Sequence, residues 1–289
     1  MTRSSIAPLE TSPAFAGGSN LSAIACRSVV ETADPHLLTA MLTAEGLSDD
    51  RLTAASALRF APALPVIAIA VSAVAGADLA SGSSLLTAVL HSRGRGVAGR
   101  VGALTAVLVQ PEDQYRCLES GIRAVIRSAA IEGRLEAGIR IGVGAAACLA
   151  DAHRSWQQAC TATRFALPTS GTQYAHPGDA VIGYDELGGL ELLAELPPSR
   201  LREHRDVAVL DAIAESSSGA TDVAALEAFC RTGSLRQAAQ ALYLHHSTVA
   251  ARLVRIQTAS GWDLNNPEDR FRARFALWAR RLSHSAAGH

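Results

Sequence analysis

Lysine is missing from this chain of 289 residues, in which all 26 basic residues are arginine. Its absence excludes a phosphate-binding P-loop lysine, a Schiff-base lysine and a Ser-x-x-Lys nucleophile. Cysteine is sparse. Cys26, Cys117, Cys148, Cys160 and Cys230 are odd in number and scattered, with no Cys-x-x-Cys pair. That excludes a zinc ribbon and a disulfide scaffold, and it favours small buried thiols in a reducing cytoplasm. Long apolar runs are also lacking. The longest, Leu64 to Ala77, contains Pro65 and is too short to span a bilayer, so it reads as a buried strand. The first twenty residues are rich in Ser, Thr, Pro and Gly without an apolar core, so no signal peptide is read there. The expected location is the cytoplasm, with no membrane partner, no cofactor and no metal.

What is present is organised in two parts. The length allows two domains with sizeable cores. The net charge of −1 is uninformative, but its distribution is not. Residues 220–289 hold nine Arg against five Asp and Glu, and residues 1–219 hold seventeen Arg against twenty-two acids. A basic C-terminal module on an acidic body fits nucleic-acid binding by one end.

The stretch from Ser234 to Ile256 supplies the motif. Leu235, Ala238, Ala239 and Leu242 recur at helical spacing, and the paired alanines let another helix approach closely. Ser234 is the expected N-cap of this helix. A supporting helix precedes it, with Thr221 as its expected cap, Val223, Leu226 and Phe229 inward, and Gly233 at its stop. After a short turn, Ser247 is the expected cap of a second helix with Val249, Leu253 and Ile256 inward. Its other face carries Thr248, Ala251, Arg252 and Arg255. This is the layout of a helix-turn-helix whose second helix enters the DNA major groove. Arg suits bidentate contact with guanine or phosphate, and Thr and Ala suit the thymine methyl. The candidate DNA-binding residues are Arg236, Gln237, His245, His246, Ser247, Thr248, Ala251, Arg252 and Arg255. The same spacing also suits a protein-interaction module with a solvated arginine face.

Asn266-Pro267-Glu268-Asp269 reads as a helix start. Asn266 caps, Pro267 suits the first position, and the two acids favour the positive end of the helix dipole. They are therefore structural, not a catalytic pair. The helix is expected to bury Phe271, Phe275, Trp278 and Leu282. Arg272, Arg274, Arg280 and Arg281 lie outside that row as candidate phosphate contacts or as a solvated basic face.

With Leu242-x-x-His245-x-x-Thr248-x-x-x-Arg252-Leu-x-Arg255-Ile256 continuing into Gly261-Trp-Asp263-Leu264-Asn-Asn-Pro267-Glu268-Asp269-Arg270, the chain resembles the C-terminal DNA-binding domain of the PucR/CdaR family of bacterial transcriptional regulators. The family usually has Arg-Asn where this chain has His246-Ser247, and Leu-Arg-Tyr where it has Val249-Ala250-Ala251. The recognition surface here is less basic and smaller, so the operator cannot be borrowed from the family.

Ahead of this module, helices are expected over 36–60, about Asp78–Leu90, about 112–131 and 151–167. Strands are expected at 66–71, 97–101, 104–109, 139–143 and 180–184, with a polar hairpin at 91–99. That order is an α+β sandwich with helices on one sheet face. Ile139-x-Ile-Gly-Val-Gly144, Ser155-Trp-x-x-Ala159 and Tyr184-Asp-Glu-Leu-Gly188 resemble the degenerate GGDEF-like, ferredoxin-like middle domain of the same family. The resemblance implies a short member, without the N-terminal sensory domain of longer ones. The expected domains are a flexible tail over 1–35 with room for a first helix, the GGDEF-like domain with its helical lead-in over 36–195, and an all-α DNA-binding domain over 200–289.

Two glycine patterns imitate a dinucleotide fingerprint. Gly94-Arg-Gly96-Val-Ala-Gly99 sits in the expected hairpin and lacks the strand–turn–helix setting. Gly142-Val-Gly144-Ala-Ala-Ala147 follows a strand but runs into apolar sequence. The segment His91–Arg100 has no acids to hold a metal, so cyclase chemistry is not expected. Adjacent His245 and His246 are expected to point in different directions, which argues against a metal pair. Tyr243 is expected to pack in the turn. The combined expectation is a non-enzymatic transcriptional regulator that binds double-stranded DNA as a homodimer, with a small-molecule effector as a candidate partner. The alternative is a metabolite- or nucleotide-binding protein or enzyme with a helical interaction module.

Overall fold

The computed structural model describes residues 30–43, 49–73, 94–111, 124, 128, 138–169 and 177–285. Most of the expected tail, the helix at 78–90, nearly all of the helix at 112–131, and Cys26 and Cys117 lie outside them. The chain is α+β followed by an all-α region.

Among the described residues six strands form one sheet: β1 (Val30–Thr32), β2 (Ile67–Ala73), β3 (Gly94–Val101), β4 (Leu104–Pro111), β5 (Ile139–Val143) and β6 (Val181–Gly183), in the order β1-β3-β4-β2-β5-β6. The four inner strands pair antiparallel, with Ile69 opposite Val107 on one side and Val143 on the other. That is the ferredoxin-like order. β1 and β6 extend it by parallel pairing at its two edges.

Alternation sorts the side chains. Ile67, Ile69 and Val71 join Val107, Val109, Ile139, Ile141, Val143 and Val181 in one buried cluster. Val66, Ala68 and Ala70 face the other way. They meet Leu38, Met41 and Leu42 of α1 (Pro35–Thr43), Ala54 of α2 (Asp49–Ala57), and Trp156 and Ala159 of α3 (Ala152–Phe165). The helical stretch expected at 36–60 is two helices.

The glycine patterns prove architectural. Residues 94–99 lie within β3, and the hairpin loop falls later, at Gly102-Ala103, where Gly102 takes φ +60°. The expected polar hairpin at 91–99 is corrected accordingly: β3 is drawn into full register with β4, from Gly94 opposite Pro111 to Val101 opposite Leu104. At Gly142 a Cβ would lie 2.1 Å from the Ala159 carbonyl oxygen, and at Gly144 one would lie 2.0 Å from that of Ser155. Those glycines let α3 lie against β5. α3 is also tied to β2 by Ser155 Oγ, which accepts from Ala68 N–H at 2.9 Å, and by Thr163 Oγ1, which donates to the Ala70 carbonyl at 3.2 Å.

The helical region contains α4 (Pro198–Arg202), α5 (Arg205–Ala214), α6 (Gly219–Thr232), α7 (Leu235–Ala241), α8 (His246–Ser260) and α9 (Pro267–His284). Leu226, Phe229, Leu242, Val249, Ile256 and Leu277 centre its core. It joins the sheet layer through a shared cluster in which Ala162 and Phe165 of α3 meet Leu201, Val207, Ala279 and Leu282. Trp278 packs tilted on Phe165 with centroids 5.6 Å apart.

The buried face of α9 corrects the sequence expectation. Ala273, Ala276, Leu277, Ala279 and Leu282 are buried, whereas Phe271 is 67% and Phe275 41% exposed. Trp278 is half-buried. One cause is an ion pair: Arg272 Nε and Nη2 each lie 2.6 Å from a carboxylate oxygen of Asp206, which is buried. This bidentate grip acts together with the buried Ala273–Leu282 face in fixing the rotation of α9, and the small alanines let the helix close in.

Candidate nucleic-acid interface

The candidate interface is built on three helix ends. α6 stops at Gly233, which takes φ +69° and donates to the Phe229 carbonyl at 2.8 Å. α7 follows at once, and its Ala238 and Ala239 are buried against the supporting helices. Ser234 holds the N-cap position of α7 but its hydroxyl makes no capping bond. Ser218, not Thr221, precedes α6, and Thr221 Oγ1 donates back to the Ser218 carbonyl at 2.7 Å.

The turn between α7 and α8 is closed by Tyr243 N–H to Gln240 O at 3.2 Å and Leu244 N–H to Ala239 O at 2.9 Å. This pair of bonds is the Schellman pattern, which places its middle residue in the left-handed region. That residue is Tyr243, at φ +53° and 85% exposed. The sequence reading of Tyr243 as packed is therefore corrected. Glycine is the usual occupant of such a position, and a tyrosine there is the signal that sequence reasoning passed over.

His245, not Ser247, caps α8. Its Nδ1 accepts from Ser247 N–H at 3.4 Å and lies 2.7 Å from Ser247 Oγ. Because His245 sits outside the helix, its ring comes within 4.1 Å of the His246 ring, centroid to centroid. The expectation that the two rings diverge assumed both were helical, and it fails for that reason.

The structure gathers most of the predicted residues on one surface. Arg236 and Gln237 are exposed in the first turn of α7. His245, His246, Ser247, Thr248 and Ala251 are exposed at the start of α8, above buried Val249, Leu253 and Ile256. Val254, 56% exposed, continues the Ser247–Ala251 row at i+7 and was missed. The backbone N–H groups at this helix start carry partial positive charge that suits a phosphate oxygen.

Arg252 and Arg255 are placed differently. Arg255 grips Asp222 of α6 with two bonds, Nε to Oδ2 at 3.0 Å and Nη2 to Oδ1 at 2.5 Å. Arg252 Nη1 donates to the Thr221 carbonyl at 3.4 Å. Both guanidinium groups reach back to the start of α6. Burial raises the Asp222 pKa, but hydrogen bonds from Arg255 and Ser218, with the Arg255 and Arg252 charges, more than offset it and hold it below the usual carboxylate range. Among the candidate phosphate contacts of α9, Arg280 pairs with Asp211 at 2.7 Å and Arg281 with Glu227 at 3.1 Å. With Arg272 on Asp206, three of the four are tied to this chain's own acids.

The segment after α8 is fixed by local bonds. Gly261 takes φ +76°, Gln257 Oε1 accepts from Leu264 N–H, Asp269 Oδ2 accepts from Asp263 N–H, and Asn266 Oδ1 accepts from Glu268 N–H. Trp262 and Leu264 are buried beside them. Gly261-Trp-Asp-Leu-Asn-Asn is thus a connector tied by its own hydrogen bonds between α8 and α9.

Residues 223–279 match the model of the PucR C-terminal helix-turn-helix domain. The chain is also similar to the crystal structure of a regulator of polyketide synthase expression from Bifidobacterium adolescentis, at 18% identity over 86% of this chain and 92% of that one, with a TM-score of 0.37. At that TM-score the likeness is too loose to bear on function. No curated protein matches the chain.

Proposed function

From the PucR-type helix-turn-helix domain at residues 223–279, we propose that this chain is a transcriptional regulator that binds operator DNA through the exposed start of α8. The observation that carries this is the coincidence of the family match with a clear local geometry. A buried three-helix core holds α8 so that Ser247, Thr248, Ala251 and Val254 stand outward together. Small neutral side chains there allow close approach of the helix to base edges and the backbone. Arg236 and Gln237 of α7 flank them as phosphate-positioning groups.

One helix-turn-helix makes few base contacts, so two copies on two half-sites one helical turn apart are expected. The sheet layer supplies the contact between copies. Arg252 and Arg255 hold α8 against α6 in this reading and act on DNA indirectly. No helix among the described residues is long and apolar enough to cross a membrane.

A mobility-shift titration of the full chain against its own upstream region, over a salt series, tests the proposal. Specific retention whose affinity falls steeply with salt is expected. Failure to retain any fragment, in that assay and in a genome-wide pull-down, would sink it in favour of a metabolite-binding protein with a helical interaction module.

A further inference from the structure

A cleft of about 140 Å³ opens where the sheet layer meets the helical region. Asp179 lines it from just before β6, Glu227, Cys230 and Arg231 from the end of α6, and Arg274, Trp278 and Arg281 from α9. Its charges do not balance. Arg231 pairs with Asp179, and Arg281 pairs with Glu227 at 3.1 Å while donating to the Phe165 carbonyl at 3.2 Å. Arg274 has no ion pair or hydrogen bond among the described residues, so three guanidinium groups face two carboxylates.

Two further observations mark the cleft as suited to an anion. Arg281 Nε is buried without a hydrogen-bond partner among the described residues, although a buried polar group without one is costly. Arg140 lies close enough to Arg281 for the Arg281 charge to add to burial in lowering the Arg140 pKa. The Cys230 thiol does not supply the charge, since burial pushes it up to about 11 and keeps it neutral. Trp278 contributes a flat wall, with the Arg281 guanidinium 4.5 Å from its ring centroid.

We infer that this cleft binds a small organic anion, a carboxylate or phosphate monoester whose remainder is about the size of a benzene ring. A cavity of roughly 150 Å³ accommodates benzene. Arg pairs readily and often bidentately with either acid group. The bound anion would bridge Arg274 of α9 and Arg231 of α6. α6 ends at Gly233 and leads directly into α7, so occupancy braces the two helices on which α7 and α8 are seated. The binding claim stands on the cleft alone; its regulatory consequence rests on the DNA-binding reading.

Tryptophan fluorescence of the full chain, titrated with benzoate, phenyl phosphate and succinate, tests the site. Trp278 lines the cleft, while Trp156 and Trp262 are buried elsewhere. A saturable change is expected with at least one anion, no such change with neutral benzamide, and at least tenfold weaker binding in Arg274→Ala. Circular dichroism melting checks that this variant folds, and Arg274→Gln serves in its place if it does not. The inference is overturned if no anion saturates, if benzamide titrates like benzoate, or if both Arg274 variants titrate like the parent. An anion that titrates in a protein that shifts no DNA supports the site and removes only the DNA reading. A protein that shifts operator DNA but titrates no anion removes only the site.

Discussion

α8 and α9 are both arginine-bearing helices of one small domain, yet they present opposite surfaces. α9 carries Arg270, Arg272, Arg274, Arg280 and Arg281, and three of these are paired with Asp206, Asp211 and Glu227. Its outward apolar residues are Phe271 and Phe275. α8 carries only Arg252 and Arg255, both bonded back to α6, and what it leaves outward is small and nearly neutral. Counting arginines along the chain therefore overstates the positive field that DNA would meet. Most of the arginines in residues 220–289 are paired with this chain's own acids. In the proposed reading, the face of α8 meets DNA by shape and by its helix start more than by side-chain charge.

The sharpest way to break this contrast is to put a charge of the wrong sign on α8. Ala251 is exposed in the second turn of α8, so Ala251→Glu should leave stability within about 0.5 kcal/mol. Operator affinity should fall at least about a hundredfold, near 2.7 kcal/mol, through repulsion and obstruction at the groove. Fluorescence anisotropy at fixed salt measures this. Unchanged affinity would mean that α8 does not face DNA.

The next largest effect concerns the tie between α8 and α6. Asp222→Ala removes both bonds to Arg255 and leaves Ser218 Oγ without its acceptor. A loss of about 2 kcal/mol is expected, read as a lower urea midpoint at constant m-value. The freed Arg255 should also steepen the salt dependence of DNA binding by about one phosphate contact. A variant as stable as the parent would show that this pair only decorates the surface.

Acid should separate the same scaffolding from the sheet. Hydrogen bonds from Arg272 lower the Asp206 pKa against burial, helped by the Arg272 charge. Asp222 is lowered as well. A carboxylate depressed in the folded state stabilises it above the unfolded value of about 3.9, and that stabilisation is lost as pH falls through the folded value. The helical region should therefore weaken below about pH 4. Asp206→Asn should lower stability at neutral pH by roughly 1–2 kcal/mol and flatten the acid limb. Chemical denaturation at pH 7 and pH 3 reads both changes, and parallel acid limbs would refute the role given to Asp206.

How far the sequence foretold these features depends on how local their causes are. The strands at 66–71, 104–109 and 139–143 and the helices around 151–167, 234–242 and 247–260 followed from apolar spacing, and Asn266 and Pro267 sit where their chemistry suggests. The rotation of α9 did not follow, because the Phe271–Phe275 row and the Ala273–Leu277 row share one periodicity. Part of what separates them is an ion pair to Asp206, 66 residues away. The bonds of Arg252 and Arg255 were hidden in the same way, because their partners lie on α6. The glycines at 142 and 144 looked like a nucleotide loop, since close backbone approach to a helix and to a phosphate demand the same residue. Of the candidate interface, the α8 positions up to Ala251 were legible. The His245 cap and the Tyr243 turn were not, because cap preferences favour serine and left-handed turns favour glycine.

Tyr243 offers the finest test. An L-residue in the left-handed region costs on the order of 1 kcal/mol, and replacing it with glycine returns part of that gain as backbone entropy. Tyr243→Gly should thus stabilise the chain by about 0.5 kcal/mol. The ring makes no core contact to lose, being 85% exposed. Strain kept at an exposed turn beside α8 is expected where the side chain has work to do, and a tyrosine hydroxyl is a good donor to a phosphate oxygen. Operator affinity should then drop several-fold while the melting temperature rises. Opposite movement of the two quantities marks Tyr243 as part of the DNA surface. Parallel movement, or a gain in stability with no change in affinity, confines that surface to α8 and the start of α7.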